Sequence, residues 1–185
     1  MKMEKVYSNL PILETDRLLL RKITLADVED MYTYCSNDEV ARYCTWLKHE
    51  NLSDTEEFVQ FILHKYEDNQ YALWGIEYKE TGKLVGTIDF VSWQPKQKIA
   101  EIGYAISQEY WGKGIVTEAA KIVLSFGFEK MDLVRIQAKC LVDNIGSARV
   151  MEKIGMSYEG LIRKGIFVKG IHHDLKMYSI LKEES

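Results

Sequence analysis

Proline is nearly missing from this 185-residue chain, which has only Pro11 and Pro95. No stretch rich in Pro, Gly or Ser divides it, and no segment repeats. A flexible linker needs such composition, so the chain reads as a single domain over 1–185, long enough to bury a good core. Cysteine is scarce too. Cys35, Cys44 and Cys140 cannot all pair, and none of their spacings matches a metal site or a CxxC redox motif. They read as reduced thiols of a cytoplasmic protein, and no metal is expected. The opening MKMEKVYSNLPILETDR lacks the apolar run of a secretory leader. No run approaches the roughly 18 apolar residues of a membrane span, so no membrane partner is expected. Excess positive charge is also missing, since the formal charge is −4. Nucleic-acid readers normally present a basic face, so direct nucleic-acid binding is not expected. With 46% apolar and 28% charged residues, the composition is that of a globular protein.

What is present is periodicity. Residues 17–23 (RLLLRKI) read as a strand. Thr24 then offers an N-cap to a helix carrying Leu25, Val28, Met31, Tyr32 and Cys35 on one face. Asn37 and Asp38 break it, and a short helical piece runs from Glu39 to Cys44. Ser53-Asp54-Thr55-Glu56 fits a capping box and opens a helix with Phe58, Val59, Ile62, Leu63 and Tyr66 on one side. The period then drops to two. Strands are expected over 71–79, 84–93 and 99–106, joined by a turn at Glu80–Lys83 and another near Pro95. A helix follows Gly112 and Gly114, with Ile115, Ala119, Ile122, Val123 and Phe126 as its stripe. Residues 133–140 alternate as a strand, Asp143-Asn144 starts a helix that Gly155 ends, and strands 156–168 and 172–181 close around Lys169-Gly170. The order implies a mixed α/β sheet, antiparallel in the middle, with one parallel crossover through the glycine-loop helix.

The informative segment is Tyr110-Trp111-Gly112-Lys113-Gly114-Ile115-Val116-Thr117-Glu118-Ala119. A strand runs into a glycine turn that opens a helix. The first N–H groups of a helix have no internal partner, the helix dipole adds positive potential, and glycines let an anion come close. Phosphate binding is one reading of this segment, and a plain tight turn is the other. A P-loop needs GxxxxGK[ST], which is absent, and a dinucleotide loop needs a third glycine where Thr117 stands.

At this loop the sequence resembles the GNAT superfamily of acyl-CoA N-acyltransferases, whose pattern there is Gln/Arg-x-x-Gly-x-Gly/Ala. The pattern would start at Trp111, place its firm glycine at Gly114 and end at Val116, so Trp111 and Val116 are departures. WGKG with TEA two residues on, at Thr117-Glu118-Ala119, resembles the RimJ/RimL-type branch, which acetylates protein N-termini. Glu14-Thr15-Asp16-Arg17-Leu18, Asn37-Asp38-Glu39-Val40 and Asn144-x-x-Ser147-x-Arg149-Val150-Met151-Glu152-Lys153-x-Gly155-Met156 resemble that branch's opening strand, first helical break and last helix. The resemblance implies a GNAT fold: a mostly antiparallel sheet splayed at its central parallel strands and flanked by about four helices.

It also implies roles. The segment Trp111, Gly112, Lys113, Gly114, Ile115, Val116 and Thr117 would bind acetyl-CoA, with the main-chain N–H groups of Gly112, Gly114, Val116 and Thr117 on the pyrophosphate and Lys113 as a solvated cation near the 3′-phosphate. The backbone of Ile102, Tyr104 and Ile106 would pair with the pantetheine arm, as would the side chain of Asn144, which otherwise reads as a helix cap. Ser147 would face the thioester sulfur. Other branches place a tyrosine seven residues after the asparagine, where this chain has Met151. Glu101 matches the strand glutamate that acts as base in histone-type members; its alternative is an exposed strand residue. In some ribosomal-protein acetylating relatives the base lies on the last hairpin, where Ile166 aligns here. His173-Asp174 reads as structural, Cys140 as packing, and Tyr43, Trp46, Phe90 and Trp93 as walls of an acceptor pocket. The expected reaction is direct attack of a primary amine on acetyl-CoA. The acceptor is a protein N-terminus, or alternatively a small amine such as a polyamine, aminoglycoside or amino acid. A non-catalytic acyl-CoA sensor is the third possibility. The expected state is a monomer or homodimer.

Overall fold

The computed structural model describes residues 10–68 and 73–185. Positions 71 and 72 of the expected strand 71–79 lie outside them. Among the described residues eight strands form one sheet: β1 Leu13–Glu14, β2 Leu18–Arg21, β3 Leu73–Tyr78, β4 Lys83–Gln94, β5 Ile99–Ile106, β6 Arg135–Leu141, β7 Ser157–Val168 and β8 Ile171–Leu181. The described helices are α1 Val28–Cys35, α2 Asp38–Arg42, α3 Leu52–Glu67, α4 Ile115–Lys130 and α5 Ile145–Lys153. There are five because the short α2 is a helix in its own right, against the expected four or so. The strand order is β1-β2-β3-β4-β5-β6-β8-β7. Every pairing is antiparallel except β5–β6, which α4 connects as the sequence pattern requires.

Local chemistry sets the elements. Thr24 donates from its N–H (2.8 Å) and hydroxyl (3.0 Å) to the Asp27 carboxylate, closing a 3-10 turn over Leu25–Asp27 that feeds α1. Arg21 grips the same carboxylate with two N–H groups at 2.9 and 2.7 Å and reaches Glu77 at 2.6 Å, locking that turn onto β2 and β3. The box that starts α3 lies two residues earlier than expected. Asn51 Oδ1 accepts from Asp54 N–H at 3.2 Å, and Asp54 Oδ2 accepts from Asn51 N–H at 3.3 Å. Ser53 and Glu56 also fit the pattern, but Thr55 is fully buried with its hydroxyl 2.8 Å from His49 Nδ1, so the helix is already under way there.

The core lies on both faces of the sheet. Ile88, Phe90, Ala100, Ile102, Ile136 and Ala138 are buried on the side of α4 and α5. Helix α4 buries more than its expected stripe: Val116, Ala120, Leu124 and Phe128 are buried too, whereas Ile122 is only half-buried. Helices α1 and α3 cover the opposite face, where Asp30 of α1 accepts from Leu84 N–H at 2.9 Å. No helix among the described residues is long and apolar enough to cross a membrane.

Candidate active site

β5 and β6 pair at only three positions, Ile99↔Arg135, Ala100↔Ile136 and Glu101↔Gln137. Beyond Glu101 they part, although β5 stays paired with β4 as far as Ile106, and β6 with β8 as far as Leu141. The split starts where β4 carries a bulge between Phe90 and Ser92. A bulge bends and twists its strand, which supplies a local cause for the divergence. Ser107 N–H bonds to Val85 C=O at 2.8 Å. In an antiparallel ladder that parity sends residues 105 and 103 to β4 and turns the main-chain groups of Ile102, Tyr104 and Ile106 toward the opening.

The glycine turn stands at the end of β5. Trp111 is exposed, and its indole N–H donates to Ile106 C=O at 3.1 Å, pinning the turn to the strand. Gly112 and Gly114 take φ of 73° and 76°, the left-handed region that costs other residues about 1 kcal/mol or more. A side chain at Gly112 would meet nothing within 4 Å, so this edge is open. The first bond of the α4 ladder runs from Glu118 N–H to Gly114 C=O at 3.0 Å. The N–H groups of Ile115, Val116 and Thr117 therefore precede the ladder and are the orphan donors of a 16-residue helix. The side chains of Ile115 and Val116 are buried and anchor that first turn.

A second layer fixes the turn. Glu118 accepts from Thr15 hydroxyl (2.5 Å), Arg17 N–H (3.2 Å) and Arg17 Nε (2.7 Å), and Arg17 Nη1 reaches Lys113 C=O at 3.1 Å. Burial pushes the Glu118 carboxyl up, but the Thr15 and Arg17 hydrogen bonds prevail and hold it below the usual range. Beside it lies a cleft of about 370 Å³ lined by Arg17, Gly114, Thr117, Glu118, Lys121 and Lys153. Glu118 is engaged by Arg17, so Lys121 and Lys153 tip this cleft positive. Lys113 instead rests its ammonium 5.0 Å from the Tyr110 ring centroid.

Glu101 sits at the inner end of the split, on the α1 and α3 face, and its side chain is 16% exposed. Its Oε2 accepts from Gln137 Nε2 at 2.9 Å and from Lys139 Nζ at 2.7 Å. Oε1 has no hydrogen bond among the described residues. Asn144 caps α5, its Oδ1 accepting from Ser147 N–H at 3.0 Å, which leaves Nδ2 available as a donor. Ser147 Oγ lies 2.8 Å from the hydroxyl of Tyr104. Met151, where other branches carry tyrosine, is fully buried and cannot reach the opening.

Two expected pocket walls belong to the core instead. Phe90 is 2% exposed and packs edge-on against Trp74, ring centroids 6.1 Å apart, on the α4 side. Trp93 is 9% exposed and pairs in register with Ala100 on the same side. The bulge between them puts residues three apart on one face, and it places Val91 and Ser92 on the face of Glu101. Sequence reasoning missed those two because the extra residue of a bulge has no periodic signature. Tyr43 and Trp46 remain half-buried, at and beyond the end of α2. Helix α2 spans the split: Asn37 Nδ2 donates to Gln108 after β5 (2.9 Å), Arg42 meets Asp143 after β6 (3.4 Å), and Lys169 at the β7–β8 tip donates to Ala41 C=O. Asp174 accepts from Lys164 N–H at 2.7 Å and holds a bulge in β7.

Comparison with known proteins places this geometry. Residues 17–157 match the acetyltransferase (GNAT) domain. The N-acetyltransferase YoaA of Bacillus subtilis is 40% identical over 172 residues, covering 93% of this chain and 97% of that protein. The ribosomal-protein-serine acetyltransferase of Escherichia coli is 31% identical over 128 residues, 68% of this chain and 69% of that one. The microcin C7 self-immunity acetyltransferase MccE, solved in complex with acetyl-CoA and AMP, superposes with a TM-score of 0.79 at 26% identity, covering 90% of this chain and 93% of that one. A sheet split at its one parallel pair, a glycine-started helix at the end of the split and these likenesses agree: the chain belongs to the GNAT acetyltransferase family and is an N-acetyltransferase that uses acetyl-CoA.

Proposed function

We propose that this chain acetylates the α-amine at a protein N-terminus, as a cytoplasmic enzyme of the RimJ/RimL-like branch, by direct attack of the amine on acetyl-CoA. The observation that carries the reading is the split between β5 and β6, which begins beside Glu101 and ends at the glycine-started α4.

In this reading the N–H groups of Gly112, Gly114, Val116 and Thr117 hold the pyrophosphate, where dipole and orphan donors act together. Lys121 and Lys153, rather than Lys113, supply the cations nearest the remaining phosphate. The main-chain groups of Ile102, Tyr104 and Ile106 pair with the pantetheine arm like an added strand, and Asn144 Nδ2 donates to it. One of those strand N–H groups polarises the thioester carbonyl, a preorganised donor aimed at developing negative charge. The neutral amine attacks the carbonyl carbon and the C–N bond forms. The C–S bond breaks with its electron pair on sulfur, and Ser147 donates a hydrogen bond to the departing thiolate. The proton lost by the amine goes to Glu101 Oε1, directly or through water.

The acceptor enters from the α2 side, past Tyr43, Trp46, Val91 and Ser92. The likeness to a ribosomal-protein-serine acetyltransferase supports a protein N-terminus as the acceptor. Release of CoA, measured over a panel of N-terminal peptides, polyamines, aminoglycosides and amino acids, tests it. Peptides should give the highest kcat/KM. A small amine turning over faster would move the chain to the small-amine reading, and tight acetyl-CoA binding without turnover would make it a sensor.

A further inference from the structure

Three side chains from three elements meet on the α5 side of the split: Tyr104 of β5, Cys140 of β6 and Ser147 of α5. The Tyr104 hydroxyl lies 2.8 Å from Ser147 Oγ and 3.2 Å from Ser147 C=O. A serine hydroxyl has one proton, so its usefulness depends on where that proton points. If the phenol donates to Ser147 C=O, the serine spends its proton on the phenol and offers the sulfur nothing. If the phenol donates to Ser147 Oγ, the serine proton is free to turn outward. A thiol with an ordinary pKa of about 8.5 leaves readily as a thiolate, whereas an aliphatic hydroxyl is a much weaker acid. Ser147 therefore serves as a hydrogen-bond donor whose orientation counts, not as a full proton source.

We propose that Tyr104 is the positioning residue of the leaving-group side. Its phenol O–H donates to Ser147 Oγ and directs the serine O–H at the thioester sulfur, the task given in other branches to the tyrosine that Met151 replaces here. No covalent step involves the phenol: the C–S electron pair stays on sulfur, and the thiolate is protonated by solvent after release. This rests on the acetyl-transfer reading above. Burial pushes the phenol's ionisation up, more than the hydrogen bond to Ser147 brings it down, so it remains a donor across the neutral range. Cys140 is buried at the same point with its thiol against Ser147, and burial pushes that thiol up more than Lys176 and Ser147 bring it down, so it stays protonated and donates to Ser147 Oγ beside the phenol instead of taking the serine proton.

The test is a double-mutant cycle of Tyr104→Phe and Ser147→Ala, with acetyl-CoA affinity measured by calorimetry and kcat by CoA release. Each single variant should lose about tenfold in kcat while acetyl-CoA affinity changes by less than about twofold, and the double variant should be no slower than Ser147→Ala. Independent, multiplying losses, or an unchanged kcat in Tyr104→Phe, would overturn the proposal. Incorporation of 3-fluorotyrosine at 104 keeps the packing and gives a second readout. Its phenol stays protonated in this buried site and is the stronger hydrogen-bond donor, so kcat at neutral pH should be at least that of the parent. A loss as large as that expected for Tyr104→Phe would contradict the assignment even if the phenylalanine variant folds poorly. Wild-type protein that fails to bind acetyl-CoA in the same calorimeter would instead refute the parent reading.

Discussion

At the scale of single residues, Glu101 is divided between structure and chemistry. Oε2 is committed to Gln137 and Lys139, which fix the rotamer, and the proposed reaction gives the amine's proton to Oε1. Glu101→Gln keeps the shape and removes the acceptor of a full proton. It should lower kcat about a hundredfold at neutral pH, with the deficit shrinking as rising pH deprotonates the amine unaided. A flat ratio of the two pH profiles would remove Glu101 from the mechanism. Asp27 carries a stability prediction. Burial pushes its carboxyl up, but hydrogen bonds from Arg21 and Thr24 outweigh it and hold the folded value below the ordinary one. Its contribution is then complete above the unfolded pKa of about 3.9 and is lost as pH falls through the folded value. Asp27→Asn should cost about 2 kcal/mol at pH 7 by leaving Arg21 underpaired, and denaturant titrations should show its stability falling less than that of the parent between about pH 5 and pH 3.

At the scale of elements, the start of α4 concentrates the claim. Gly114 holds φ of 76°, and the nearest atom to an added Cβ is Arg17 Nη2 at 3.7 Å. Gly114→Ala and Gly114→Asp therefore both pay a backbone cost of about 1 kcal/mol, of which aspartate recovers part because it tolerates the left-handed region better. Asp should be the more stable variant and the weaker binder, with acetyl-CoA affinity at least about tenfold below that of Ala, because its carboxylate opposes the pyrophosphate. Equal affinities by calorimetry would detach the loop from the phosphate. The same element shows what a sequence can disclose. The glycine turn, the strand 99–106 and the parallel crossover were readable because composition and period mark them locally. The start of α3 was not, since Asn51-x-x-Asp54 and Ser53-x-x-Glu56 fit one rule and the buried Thr55–His49 contact decides between them. Phe90 and Trp93 were expected as pocket walls but are buried in the core, and the bulge that keeps Trp93 on the side of Phe90 has no periodic signature. The Tyr104–Ser147 bond joins residues 43 positions apart and leaves no trace in either neighbourhood.

At the scale of the whole molecule, the sheet divides the work. The α4 and α5 side offers helix-start donors and a cationic cleft, and the opposite side offers Glu101. In the proposed reaction both reach the split where β5 leaves β6, and the amine attacks acetyl-CoA directly through it. The expected strands all appear, with the short β1 added at the edge, and among the described residues β5–β6 is the one parallel pair. Backbone amide NMR on this 21.5 kDa protein during titration with acetyl-CoA tests that arrangement most directly. At saturation the amides of Gly112, Gly114, Val116 and Thr117, and those of Ile102 and Tyr104, should show the largest shifts together. Saturation that leaves both groups unmoved while another surface responds would contradict the account.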